Sequence, residues 1–304
     1  MSRLDLGGTH LPVTTPFDPV TGDVDVVAFR ANLRHWLQSP IHGVLVAGTT
    51  GEAVLLDDGE RAMLLDAARD LVPADTLLIA GIGAESTRHT AAQAKQAADS
   101  GADAVLVSPP AYFKGAMTPE VLARHFRAVA DESPLPVLVY QVPLRMSTLD
   151  LPTGLVAELS RHENIAGIKD SRGKLDLLGE LVEATAEDFQ VLVGSGAHLY
   201  GALELGAAGG IVAVGLLATD AAAEISIAYG EGRRVDAGRI QERLAPVHQR
   251  VVAEMGVPGV KAALDLLGLH GGAPRQPLSP LPESRADELR AVLATADLLP
   301  AARV

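Results

Sequence analysis

The stretch AVLVSPPAYFKGAMTPEVLARHFRAVADESPLPVLVY, residues 104–140, decides how the chain folds. It opens with the short apolar run Ala104 to Val107 and closes with a second, Val137 to Tyr140. Between them Pro119 to Glu132 sets apolar residues at helical spacing among Glu, Arg and Asp. A buried run, an amphipathic helix and another buried run make a strand–helix–strand unit, whose two strands must be parallel.

The same unit repeats on both sides. Apolar runs at His10 to Thr14, Gly43 to Ala47, Leu77 to Ala80, Ala166 to Lys169, Val191 to Val193 and Gly210 to Val214 bring the number to eight, spaced roughly 20 to 33 residues apart. Ala53 to Leu71, Thr87 to Ser100 and Leu175 to Ala186 supply further amphipathic helices between them. Eight such units predict an α/β fold, a closed (β/α)8 TIM barrel with catalytic residues at the C-terminal strand ends. The competing open dinucleotide-binding sheet lacks its fingerprint: Gly81-Ile82-Gly83-Ala84-Glu85-Ser86 misses the third glycine, and Gly194-Ser195-Gly196 does no better. After Ala218 the pattern is helix upon helix, at Ala221 to Tyr229, Asp236 to Glu254 and Gly259 to Leu267. Glycines and prolines from Gly271 to Pro282 interrupt it before a last helix near Ser284 to Ala296. The expected division is a barrel over residues 1–230 and a C-terminal helical region over 231–304.

Composition narrows the function. With 304 residues, 48% of them hydrophobic, the chain can bury a large core. The absence of cysteine removes disulfides, thiolate nucleophiles and cysteine metal sites. A net charge of −13 with dispersed basic residues argues against a nucleic-acid partner. No apolar run is long enough for a membrane helix and Met1 to His10 lacks a secretory signal, so the expected location is the cytoplasm and the expected partner a small molecule. The nine histidines are scattered without a His-Glu-x-x-His pattern, so no metal is expected; no other cofactor is expected either.

Of only five lysines, Lys169 alone ends a strand, in Ala166-Gly167-Ile168-Lys169-Asp170-Ser171. Burial at a barrel mouth would make it a neutral amine able to attack a ketone; an ion pair with Asp170 is the structural alternative. Lys95, Lys174 and Lys261 fall in or beside predicted helices and read as solvated. Tyr140 ends the preceding strand, near enough for its phenol to shuttle protons, although a rim tyrosine held by one hydrogen bond is the commoner case. Gly48-Thr49-Thr50-Gly51-Glu52 follows strand two and reads as a helix opening that binds an anion, or else as a plain capped turn. Arg145 stands beyond Tyr140, either clamping a carboxylate or solvated in its loop. Tyr112 tips the loop after strand four, to join a proton relay or cover a neighbouring subunit. Ser195, after strand seven, and Ile211, in strand eight, complete the candidate substrate-binding set.

Gly48-Thr49-Thr50-Gly51-Glu52, Tyr140-Gln141-Val142-Pro143-Leu144-Arg145 and Gly167-Ile168-Lys169-Asp170-Ser171, in that order, resemble the dihydrodipicolinate synthase and N-acetylneuraminate lyase family, from about Gly8 to about Leu281. Within it, Ser133-Pro134-Leu135-Pro136, Leu149-Asp150-Leu151-Pro152, Asp188-Phe189-Gln190-Val191-Leu192 and Gly256-Val257-Pro258-Gly259-Val260-Lys261 look most like the 4-hydroxy-2-oxoglutarate aldolases, which yield pyruvate and glyoxylate. The resemblance implies a class I lyase with Lys169 as the imine-forming amine and Tyr140 as proton shuttle. It further implies Thr49 and Thr50 as carboxylate and relay groups, Tyr112 reaching into an adjacent subunit, and a homotetramer built as a dimer of dimers. Gln141, Met146 and Ala111 depart from the family's usual Asn, Thr and Tyr, so the second-substrate pocket differs from a typical synthase. Asp170-Ser171 argues against a sialic acid lyase. On that pattern similarity cleavage of 4-hydroxy-2-oxoglutarate is favoured over condensation of pyruvate with aspartate semialdehyde, although Thr49, Thr50 and Arg145 are what the synthases carry too. A silent 2-oxo acid sensor and a phosphosugar isomerase are the rivals from other classes.

Overall fold

The computed structural model describes residues 4–147 and 149–299. Eight parallel strands close on themselves in chain order: β1 Gly8–Pro12, β2 Gly43–Val46, β3 Leu77–Ile82, β4 Ala104–Val107, β5 Val137–Gln141, β6 Ile165–Asp170, β7 Gln190–Val193 and β8 Gly209–Ile211. The chain folds as the expected TIM barrel. Helices α1 Val26–Trp36, α2 Asp58–Arg69, α3 Thr87–Asp99, α4 Pro119–Glu132, α5 Thr153–Leu159, α6 Leu175–Ala184, α7 Leu199–Glu204 and α8 Thr219–Gly230 follow the strands. They are succeeded by α9 Arg234–Val247, α10 Gly256–Leu266 and α11 Ala286–Thr295.

Alternation along each strand sorts side chains between two cores. Leu45, Ile79, Leu106, Leu138, Tyr140, Leu192 and Ile211 fill the barrel interior. Val44, Val46, Val105, Val137, Val139 and Ile168 face the helices instead. Helix α4 shows the local logic: Thr118 caps it by accepting from the Val121 N–H, Pro119 fits its first turn, and Leu122, Phe126 and Val129 are buried. Truncating Phe126 to Ala would cost about 3–5 kcal/mol. Leu244, Val251, Val260, Leu264 and Leu289 join the same outer core, so α9 to α11 pack onto the barrel.

Several boundaries differ from the sequence reading, and four of the differences have a physical reason. Strand β1 starts and ends earlier than His10 to Thr14, since Gly8 pairs with Gly209. The run Gly210 to Val214 is a strand only to Ile211; Ala213–Leu216 is a buried 3-10 turn, and apolar content alone does not separate the two. Ala53 to Leu71 is not one helix. Ala53–Leu55 forms a single 3-10 turn and α2 begins at Asp58, because Asp57 and Glu60 close a reciprocal capping box there. Gly48 to Glu52 therefore opens only that 3-10 turn and no α-helix. Finally, Asp236 to Glu254 divides into α9 and a π-helical segment, His248–Glu254, just after Pro246. Proline has no N–H to reach back to Glu242, which loosens the helix at that point.

Candidate active site

Register places the two central groups. Tyr140 pairs with Lys169 across β5 and β6, and Leu138 pairs with Gly167, so Tyr140 and Lys169 share the inward face at the C-terminal end. On the other side of β6, Gly167 lets β7 approach closely, since a Cβ there would lie 2.3 Å from the Gln190 carbonyl oxygen. The Lys169 Nζ sits 4.8 Å from the centre of the Tyr140 ring. The Tyr140 hydroxyl in turn is 3.2 Å from the Thr49 Oγ1.

Above them lies a cavity of about 260 Å³. Thr49, Thr50, Tyr140, Arg145, Lys169, Ser195 and Ile211 all line it, so seven of the eight candidate residues meet at one place. Tyr112 does not: it is 79% exposed on the loop after β4, packed edge-to-face on Phe113 at 5.1 Å. Among the described residues no Asp or Glu lines the cavity, whereas Lys169 and Arg145 do; Arg172 lines it as well but is paired with Asp170 and Asp150. Such a lining favours an anionic ligand.

The two buried lysines differ in a way that separates structure from chemistry. Lys261, read from sequence as solvated, is fully buried and donates to Glu52 Oε1 at 2.8 Å and to the Thr15 carbonyl at 2.9 Å. Its position on α10 gave no hint of a carboxylate from the β2 loop. Lys169 is equally sequestered, 4% exposed, yet among the described residues its amine makes no ion pair or hydrogen bond. The ion pair with Asp170 does not form, because Asp170 is taken by Arg172, Oδ2 to Nη2 at 2.7 Å. Burial pushes the Lys169 pKa below that of an ordinary lysine, with Tyr140 opposing.

The Thr49–Thr50 loop is held from both sides. Ala47 and Glu52 flank it with φ of 54° and 60°, a left-handed backbone that costs energy outside glycine. The Glu52 carboxylate is pinned by Lys261 and by the Arg275 N–H at 2.8 Å. Gly81 makes room beside it, since a Cβ would come within 2.1 Å of the Ala47 carbonyl oxygen.

Sequence reading missed His198 and His248, which line the cavity with Ser195. The Ser195 Oγ lies 3.0 Å from His198 Nδ1 and 3.2 Å from His248 Nε2. His248 comes from the π-helical segment, and Pro246 was the one local signal for it. Among the described residues, no group of three or more His, Asp or Glu side chains is placed to hold a metal ion, and no helix is long and apolar enough to cross a membrane.

The pattern of the Dihydrodipicolinate synthetase family matches residues 5–296. The chain belongs to that family. As a member of the dihydrodipicolinate synthetase family it is an aldolase-type lyase. A probable mitochondrial 4-hydroxy-2-oxoglutarate aldolase of Emericella nidulans is 36% identical over 274 residues, which cover 89% of this chain and 88% of that protein. A 4-hydroxy-tetrahydrodipicolinate synthase of Xanthomonas axonopodis pv. citri is 37% identical over 291 residues, 95% of each chain. Among solved structures, YagE, a prophage protein of the dihydrodipicolinic acid synthase family from E. coli K12 in complex with pyruvate, matches with a TM-score of 0.90 at 28% identity, covering 97% of this chain and 99% of that one.

Proposed function

We propose that the chain is a Schiff-base-forming class I aldolase that cleaves 4-hydroxy-2-oxoglutarate to pyruvate and glyoxylate. The observation that carries this reading is the buried amine of Lys169, which among the described residues has no ion-pair or hydrogen-bond partner and no carboxylate beside it in the cavity, next to the Tyr140–Thr49 couple. A desolvated lysine is partly neutral and nucleophilic at a pH where a solvated one is not. Its attack on the C2 ketone gives a carbinolamine, and loss of water gives a protonated imine. The C3–C4 bond then breaks, its electron pair moving to the imine while a base takes the C4 hydroxyl proton. Glyoxylate departs; protonation of the resulting enamine at C3 and hydrolysis return pyruvate and the free amine. The Tyr140 phenol, hydrogen-bonded to Thr49, is the group at hand for these proton transfers.

The threonine hydroxyls and backbone of the Thr49–Thr50 loop bind the carboxylate next to C2. Arg145 is exposed at the rim, and among the described residues nothing pairs with its guanidinium, which leaves it free for the distal carboxylate. Pyruvate in the complex of the YagE neighbour agrees with a 2-oxo acid as ligand. Tyr112 and Phe113, 79% and 68% exposed, form an apolar patch that suits a homotetramer in which Tyr112 meets a neighbour's site.

Condensation of pyruvate with aspartate semialdehyde is the second reading, because relatives named as synthases are as similar as the one named as an aldolase. Turnover of 4-hydroxy-2-oxoglutarate compared with that of pyruvate plus aspartate semialdehyde decides between them. The aldolase reading expects the larger kcat/KM for cleavage; a much larger one for condensation overturns it.

A further inference from the structure

Two histidines and a serine form a polarised chain on the cavity wall, and its hydrogens can be assigned from the backbone outward. The Gly196 N–H can only donate, and it reaches His248 Nδ1 at 3.2 Å. That nitrogen must therefore carry a lone pair, so the proton of this ring sits on Nε2. A Cβ at residue 196 would come 2.5 Å from Val214 Cγ1 and 3.3 Å from the same nitrogen, so glycine fits the crowded turn between them. His248 Nε2–H then donates to Ser195 Oγ at 3.2 Å. Ser195 is buried, and the acceptor within reach of its own hydrogen is His198 Nδ1, at 3.0 Å. Turning that hydrogen elsewhere would leave a buried hydroxyl donor unsatisfied. With Nδ1 accepting, the neutral His198 ring carries its proton on Nε2. Among the described residues this N–H has no partner, and His198 is a half-buried residue of the cavity wall.

We propose that His198 is a specificity-determining residue whose Nε2–H donates to the terminal carboxylate of the aldehyde half of the substrate, and that Ser195 and His248 are positioning residues that fix its tautomer. This rests on the imine chemistry proposed for Lys169 and names what recognises the other end of the molecule. It also changes the part expected of Ser195: its hydroxyl proton is committed to His198 and not to the ligand. Burial pushes the pKa of His248 down to about 4, and the Arg145 guanidinium is near enough to push the same way, so this ring stays neutral and the chain directional.

Two measurements test the proposal on the full-length protein. Long-range proton–nitrogen NMR of the imidazoles should show His198 protonated on Nε2 and bare on Nδ1, with Ser195→Ala giving a tautomer mixture. A proton on His198 Nδ1 in the wild type would overturn the assignment. Condensation of pyruvate with glyoxylate and with glycolaldehyde, a neutral aldehyde of similar size, reads the specificity. His198→Leu should lower the preference for glyoxylate roughly 10- to 100-fold, the scale of one hydrogen bond to a charged group. His198→Gln, which keeps an N–H donor, should restore part of it. An unchanged preference, with pyruvate still trapped on Lys169, would overturn the role of His198 alone. A wild-type protein that traps no pyruvate would instead overturn the aldolase reading.

Discussion

Lys261 on α10 and Glu52 in the β2 loop make an ion pair at 2.8 Å with both side chains fully buried, 209 residues apart in the chain. The pair joins the C-terminal helices to the left-handed residue that ends the Thr49–Thr50 loop. Breaking it leaves one charge unpaired in a dry interior, at a cost of about 3–5 kcal/mol. Lys261→Met should thus lower the unfolding free energy by that order in urea titrations. If the pair also positions the loop, then in the folded fraction kcat should fall while pyruvate trapping on Lys169 persists. Equal stability of variant and wild type would show that the pair contributes nothing.

A second prediction follows from the contrast between the two lysines. Because Lys169 is desolvated and unpaired, its amine should lose its proton at lower pH than an ordinary lysine, whose pKa is about 10.4. Borohydride trapping with pyruvate, followed by peptide mass analysis, should label Lys169 and vanish in Lys169→Ala. The trapping rate should climb with pH and level off below the ordinary lysine value. Label on another lysine, or a rate that levels off only at the ordinary lysine value, would contradict this.

Much of this was legible before any coordinates. The eight apolar runs have the spacing of a parallel barrel, and Lys169 and Tyr140 each close a run, so register brought them together as expected. What stayed hidden depends on long-range placement. His248 lies 53 residues from Ser195 and reaches the cavity from a π-helical turn, where helical periodicity carries no signal for a binding side chain. Lys261 sits on the buried face of α10 beside Val260 and Leu264, and only the tertiary fold supplies Glu52 to pair it. The break between Ala53–Leu55 and α2, by contrast, could have been read from the Asp57 and Glu60 capping pair.

The Tyr140 hydroxyl and Thr49 Oγ1 are 3.2 Å apart, and general acid–base groups contribute roughly 10²- to 10⁴-fold to rate. Tyr140→Phe should lower kcat within that range and leave the protein as stable as the wild type to within about 1 kcal/mol, since one hydrogen bond is lost. Thr49→Val should reduce kcat less, as the phenol remains. A Tyr140→Phe enzyme retaining more than a tenth of wild-type kcat would exclude the phenol from proton transfer.

The exposed Tyr112–Phe113 pair predicts an assembly effect. Sedimentation should find the wild type as a tetramer, and replacing both aromatics by Ser should shift it towards smaller species with a parallel loss of activity. A fully active monomer would remove Tyr112 from the site.

The last prediction concerns acid. Burial pushes the pKa of His10, His125 and His248 from 6.5 down to about 4. In the unfolded chain these rings take up protons near 6.5. Between the two values the unfolded state binds more protons than the folded one, so stability rises with pH there and falls as the solution is acidified from about 6.5 towards 4. Each ring is worth roughly 3 kcal/mol when the whole window is crossed. Carboxylates held down by hydrogen bonds act lower: Asp58, bonded to Gln93, and Glu60, bonded to Arg275, lose their contribution only as pH falls below the ordinary carboxylate values of 3.8 and 4.5. The interval from pH 7 to pH 5 therefore isolates the histidines. Urea unfolding should show a clear loss of stability across it, and His125→Asn, which can still meet Thr87 Oγ1 but does not titrate, should flatten the slope by about one ring's share. An identical slope in wild type and variant would mean that His125 is protonated in the folded protein, against its burial.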